Sequence, residues 1–276
     1  MIGKILVNVL KLLGKLVEFK VLKPTKNARE MEKVKPMKKM LSITAATCLV
    51  ALSAPASADV LFSLEAEAQY WQADASGYHT YAQTVSSGDI YDWKKSGQLG
   101  FGATFTHFIP LLPNVKFETQ ELEFGGEHSN GVDTVNIDLG HETYTLFYAP
   151  FDNDLVAIHF GASLKQIDGY VGENYGMSDQ PLWRIDEDVV SAYLKLAAGL
   201  PFSGLSVVAE GHIGSFGDHD LHDIQGAVRY RFLDSLVFDG YASIGYRSVK
   251  MDFENGNDFT TNYEFTGPFA SVSLRF

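Results

Sequence analysis

The stretch that decides the fold closes the chain: residues 262–276 read NYEFTGPFASVSLRF. Every second side chain of a strand shares a face, so Pro268, Ala270, Val272, Leu274 and Phe276 fall on one side. Gly267, Phe269, Ser271, Ser273 and Arg275 fall on the other. In a soluble β-protein the apolar side would face a core. In a bilayer it would face lipid, with the polar side lining the inside of a closed sheet. The rest of the chain decides between these two readings.

The N-terminal region favours export. Residues 37–58 read MKKMLSITAATCLVALSAPASA, with Lys38 and Lys39 ahead of an apolar run and Ala56-Ser57-Ala58 at its end. This order of basic, apolar and small residues predicts a signal peptide. Its apolar run is about twelve residues, short of the roughly twenty a spanning helix needs. Cys48, the only cysteine, lies within it, so the exported chain is expected to hold no disulfide. Residues 1–36 form a basic extension, MIGKILVNVLKLLGKLVEFK followed by a polar stretch, and read as upstream of the true start at Met37 or Met40. Residues 1–58 hold eleven of the 22 Lys and Arg and three of the 34 acids, which leaves residues 59–276 near −20. That surface argues against nucleic acid as a partner.

Ten alternating strands are predicted over residues 59–276, at 60–71, 93–108, 114–124, 136–148, 155–166, 189–200, 205–214, 222–232, 236–249 and 262–276. Most are long enough to cross a membrane at a tilt. In the fifth, Val156, Ile158, Phe160, Ala162 and Leu164 oppose His159, Gly161, Ser163 and Lys165. Connections alternate between short ones, such as 201–204, and longer acidic ones, such as 72–92 and 167–188. Ring side chains at strand ends (Tyr70, Trp71, Trp93, Phe108, Tyr148, Phe151, Phe202, Tyr230, Phe232 and Tyr246) suit two interfacial girdles. The fold class expected is an all-β, transmembrane antiparallel β-barrel of about ten strands, with short periplasmic turns and longer acidic extracellular loops. A soluble sandwich would not need an apolar outer band.

The faces opposite the apolar band define an expected lumen charge network. Its bases are Lys165, Lys195, Arg229, Arg231, Arg247 and Arg275, and its acids Glu65, Glu67, Glu118, Glu210 and Asp239. Ten strands lie nearer the side-chain-filled barrels than the water-filled ones, so a plugged or narrow interior is expected.

Two acidic clusters invite chemistry. Asp218-His219-Asp220-Leu221-His222-Asp223 offers potential metal ligands or a His–Asp pair, though it also reads as an ordinary turn. The 167–188 segment carries Asp168, Glu173, Asp179, Asp186, Glu187 and Asp188, oxygen ligands suited to calcium or magnesium but without EF-hand spacing. No G-x-S-x-G, H-E-x-x-H or P-loop occurs, so no cofactor, no committed metal site and no catalytic residue are expected.

Short motifs carry a resemblance: 70–74 (YWQAD), 143–148 (TYTLFY), Asp152-Asn153, 167–170 (IDGY) and 267–276 (GPFASVSLRF). They resemble a group of small outer-membrane β-barrel proteins of gammaproteobacteria, with Ser271 where a Gly is common. The resemblance implies fold and location, and no catalytic residue. It implies that Val272, Leu274 and Phe276 act as the signal read by the barrel assembly machinery, after handling by periplasmic chaperones, and that lipid and lipopolysaccharide surround the protein. Three roles stay open: a non-enzymatic barrel whose loops contact ligands, cations or lipopolysaccharide, a small gated channel, and an omptin-like protease using Asp218, His219, Asp220 and His222. Omptin strands reach far beyond the membrane, and the strand lengths read here leave little to spare.

Overall fold

The computed structural model describes residues 62–81, 84–86, 91–109, 111–128, 134–174, 179–216, 219–255 and 259–276. The expected extension 1–36 and leader 37–58 lie outside the described residues. Fourteen strands follow in order: β1 Phe62–Tyr81, β2 Thr84–Ser86, β3 Tyr91–Trp93, β4 Ser96–His107, β5 Asn114–Gln120, β6 Glu123–His128 and β7 Thr134–Asp138. Then come β8 His141–Asp152, β9 Val156–Asn174, β10 Asp179–Gly199, β11 Leu205–Phe216, β12 His219–Leu233, β13 Asp239–Asn255 and β14 Phe259–Arg275. Among the described residues no helix is long and apolar enough to cross a membrane.

All pairings are antiparallel. The path β1-β4-β5-β8-β9-β10-β11-β12-β13-β14 returns to β1, and β3, β6 and β7 prolong β4, β5 and β8, so the barrel is closed with ten staves. The closing seam runs from Glu65↔Arg275 to Tyr81↔Phe259. Below it Leu64 and Phe276 exchange backbone hydrogen bonds of 2.9 and 2.8 Å. An open edge in hydrocarbon would cost several kcal/mol per unpaired group, which is why the sheet must meet itself. Two interruptions are repaired by side chains. Pro268 has no N–H to give, the β1–β14 register lapses beside it, and Trp71 Nε1 donates to the Gly267 carbonyl there at 3.2 Å. At the break between β5 and β6, the Gln98 carboxamide stands in for a peptide, donating to the Glu123 carbonyl (2.7 Å) and accepting from its N–H (3.2 Å).

Alternation continues along the staves apart from register shifts on β8, β10 and β12, and its polarity inverts partway on β1, β9 and β13. On β9 the outward residues are Val156, Ile158, Phe160, Ala162 and Leu164, then Gln166 and Asp168; the inward ones are His159, Ser163 and Lys165, then Ile167 and Val171. On β1 the inward series Glu65, Glu67, Gln69 gives way to Trp71, Ala73 and Ala75, while outside Tyr70 yields to Gln72, Asp74 and Ser76. β13 turns over after Arg247 and Tyr246, with Val249, Met251 and Phe253 inside and Lys250 and Asp252 outside. The lower part therefore has the apolar-out pattern of a membrane barrel, and the upper part the apolar-in pattern of a protein in water.

This inversion explains where the sequence reading stopped short. The segments read as loops 72–92 and 167–188 are largely strand, because polar outward residues hide a continuing alternation. Far-end hairpins stay paired nearly to their tips, at Asn174↔Asp179, Phe216↔His219 and Asn255↔Phe259. Strands of 17 to 21 residues also correct the expectation that the chain has little length to spare beyond a membrane. Two girdle residues are reassigned. Trp71 is fully buried in the interior and Trp93 packs edge-on against Tyr263, whereas Tyr70, Phe108, Tyr148, Phe151, Tyr230, Phe232 and Tyr246 are exposed.

Candidate functional site

The interior holds two layers. The lower is polar and begins with Asp223 on β12, buried with its two cations. Arg247 from β13 donates to both of its carboxylate oxygens at 2.9 and 2.8 Å, and Lys165 from β9 donates at 2.8 Å. The remaining Arg247 nitrogen donates to Gln69 Oε1 (3.0 Å) and Gln120 Oε1 (2.7 Å), tying β1 and β5 to β13 across the lumen. Lys165 also lies 3.0 Å from His141 Nε2, while His141 Nδ1 is 3.0 Å from the Leu139 carbonyl. Since a carbonyl can only accept and an ammonium can only donate, His141 is neutral with its proton on Nδ1.

A second group joins Lys116 of β5 to Glu118 (2.9 Å) and to Glu210 of β11. The Tyr193 hydroxyl donates to Glu210 at 2.9 Å and Gln225 donates to it at 3.3 Å. Gln69 in turn donates to Gln225 at 3.1 Å, linking both groups. His212 Nδ1 pairs with Ser163 Oγ at 2.8 Å, and its Nε2 faces Glu118 at 3.7 Å. Nearer the turns, Arg229 pairs with Glu65, donates to Ser273 at 3.0 Å and lies over the Tyr241 ring at 3.8 Å. Breaking one buried pair leaves its partner uncompensated at about 3–5 kcal/mol, so these groups hold one another in place.

Above this layer, Trp71, Leu122, Phe124, Ile137, Leu139, Ile167, Val171, Ile185, Val189, Leu221, Val249, Met251, Phe253, Tyr263 and Phe265 form one buried apolar cluster across the barrel. Phe124 and Phe265 stack at 5.0 Å, and His79 Nδ1 meets the Tyr263 hydroxyl at 2.8 Å near the top. Cavities of about 40 and 30 Å³ lie among the polar side chains. Each has room for water. Glu67 borders both and Lys195 the smaller.

Of the network expected from sequence, Glu65, Glu118, Lys165, Glu210, Arg229 and Arg247 make buried or half-buried ion pairs. Arg231 instead reaches the rim, to Asp154 (3.2 Å) and Asp234 (3.4 Å), and Arg275 meets Asp152 there at 3.5 Å and Ser63 at 2.9 Å. Asp239 accepts from the Tyr241 hydroxyl at 3.4 Å. Of the terminal trio, Val272 faces outward and the Phe276 ring lies 5.7 Å from that of Phe238.

Sequence reading missed Lys116, His141 and His212, and put Asp223 in an acidic cluster and not in the lumen. Lys116 sits two residues before Glu118, and Asp223 two before Gln225 and six before Arg229, so alternation alone places both inside. Residues 219–223 of the cluster are strand, not turn. β12 starts at His219, Asp220 and His222 face outward, and Asp223 faces inward; Asp218 lies outside the described residues. Among the described residues, Glu118, Glu210 and His212 could present three metal-ligand atoms within 4.8 Å of one another. Lys116 already bonds both carboxylates, so a metal ion would have to displace an ammonium.

No protein-family model and no curated protein matches the sequence. Solved outer-membrane proteins are among the structures it is similar to. The outer-membrane protease OmpT of Escherichia coli aligns with 78% of this chain and 97% of its own, at 8% identity and a TM-score of 0.46. The translocator domain of the autotransporter NalP of Neisseria meningitidis gives 86% and 97%, 13% and 0.39. OprG of Pseudomonas aeruginosa gives 78% and 95%, 11% and 0.31.

Proposed function

We propose that this chain is a non-enzymatic integral outer-membrane barrel whose filled interior holds its shape and conducts nothing, while its far hairpins meet the lipopolysaccharide layer. One observation carries the reading: a self-paired charged layer lies beneath a continuous apolar layer, and the cavities of about 40 and 30 Å³ lie within the charged layer. Export by the 37–58 leader supports the turn end facing the periplasm and the far end facing out.

The outward residues above the apolar band include Glu121, Glu123, Asp138, Asp168, Asp186 and Asp188 on neighbouring staves. Asp168 and Asp186 are direct cross-strand partners, an arrangement that repels without a counter-ion. Divalent cations held between lipopolysaccharide phosphates would relieve it. The protease reading loses support, because Asp220 and His222 face outward among surface residues and not toward a common cleft.

Planar-bilayer recording tests the reading. The protein should insert without stable conductance, and Arg247→Ala combined with Phe265→Ala, which thins both layers, should produce openings. Stable conductance in the unaltered protein would favour the channel instead.

A further inference from the structure

The turns at the lower end carry apolar residues that the fold does not use. Leu111 is 91% exposed, Leu236 is 95% exposed and Phe202 is fully exposed. Leu111 and Phe202 adopt positive φ values of 69° and 62°, a conformation that a Cβ resists and that glycine occupies freely. Each follows a proline in sequence, Pro110 and Pro201. In the third turn Ser203 N bonds the Leu200 carbonyl at 3.3 Å, and Phe202 holds the third position, where a type II turn calls for glycine. The other turns are also braced. Asn153 Oδ1 accepts from the Leu155 and Val156 amides at 3.0 Å each, and Ser235 Oγ accepts from the Phe238 amide at 3.1 Å and donates to its carbonyl at 2.6 Å. Rigid turns thus present large apolar groups where glycine or a polar residue would sit more easily.

The length of the apolar band shows what they are for. On β9 it runs from Val156 to Leu164, on β12 from Ile224 to Phe232, and on the last stave from Pro268 to Phe276, eight residue steps each. Eight steps at about 3.4 Å, tilted by about 40°, rise about 21 Å. The apolar band of such barrels is about 25 Å tall, so about 4 Å is missing. It cannot be found at the upper edge, where Gln166, Asp168, Asp186 and Asp188 follow at once. At the lower edge, exposed Phe108, Leu112, Phe151, Leu155, Leu200 and Val237 continue the band toward the tips, with the exposed Asp154 and Asp234 among them. The tips also lie on turns distributed round the ring, which suits a surrounding annulus better than a partner on one side.

We infer that the turn tips are lipid-seated: Leu111, Phe202 and Leu236 lie in the acyl–headgroup boundary of the near leaflet and complete a band that the strands leave short. The inference rests on the membrane reading above. Its test uses nitroxide-labelled single-cysteine variants in a Cys48→Ser background: Leu111→Cys, Phe202→Cys and Leu236→Cys, with Val228→Cys in the band and Asp186→Cys in the acidic collar as references. In phosphatidylethanolamine–phosphatidylglycerol vesicles, collision with oxygen should exceed collision with a water-soluble nickel chelate at all three tips, as at Val228→Cys. Nickel-dominated tips resembling Asp186→Cys would overturn the inference, and so would immobile labels that neither reagent reaches, the mark of a protein cover. If Val228→Cys is itself nickel-dominated, the membrane reading fails and this inference with it.

Discussion

At the scale of single residues, Asp223 bears the most. It pairs directly with both Lys165 and Arg247, each largely withdrawn from solvent, and through them it orients His141, Gln69 and Gln120. Asp223→Ala should cost about 3–5 kcal/mol in urea unfolding in micelles, since two cations lose their counter-charge. Adding Lys165→Met should recover part of that loss; a loss below about 1 kcal/mol would mean that water reaches the pair. Asp138, outward and above the apolar band, behaves oppositely. Desolvation pushes its carboxyl above the ordinary range, the nearby Asp168 and Glu121 push it further, and the Gly140 amide pulls it back only in part. Because the folded state binds this proton more tightly than the unfolded chain, its contribution to stability falls as pH rises from the free carboxyl value of about 4 through the folded one. Asp138→Asn should remove that decline, so the gap in Tm between variant and parent should widen from pH 4 to pH 7; parallel curves would refute the assignment.

At the scale of elements, the last strand is a keystone. Phe276 exchanges two backbone hydrogen bonds with Leu64 and lays its ring beside Phe238, so it touches the strands on both sides of the seam. Deleting it should sharply reduce the heat-modifiable, faster-migrating form on gels, and undiminished yield would show that the seam closes without it. This strand was readable in advance because apolar outward residues recur at every second position from Pro268 to Phe276. The same rule found the lower halves of the other staves and placed Glu65, Lys165 and Arg247 inside. It stopped at Gln166 and Trp71 because hydrophobic surface was taken to mean an outward face. Once the strand leaves the bilayer that meaning reverses, and Ile167, Val171 and Trp71 become the inside. Gln98 lay beyond reach for a different reason: its carboxamide fills a gap in backbone pairing that no local pattern announces.

At the scale of the molecule, the polarity inversion divides the barrel between two solvents. Apolar side chains of the lower band leave lipid-like surroundings for lipid-like surroundings when a micelle-bound chain unfolds. Those of the upper cluster go from a dry interior into water, and this transfer raises heat capacity by roughly 0.45 cal/K/mol per Å² exposed. Calorimetry in detergent should therefore give a positive unfolding ΔCp. Phe265→Ala and Met251→Ala should reduce it, whereas Val228→Ala, on the band, should leave it nearly unchanged. It follows that cooling should loosen the upper storey before the lower, since aqueous burial weakens toward freezing while backbone pairing shielded by hydrocarbon does not. A protein anchored in oil would thus keep its own cold sensitivity, confined to the storey that stands in water.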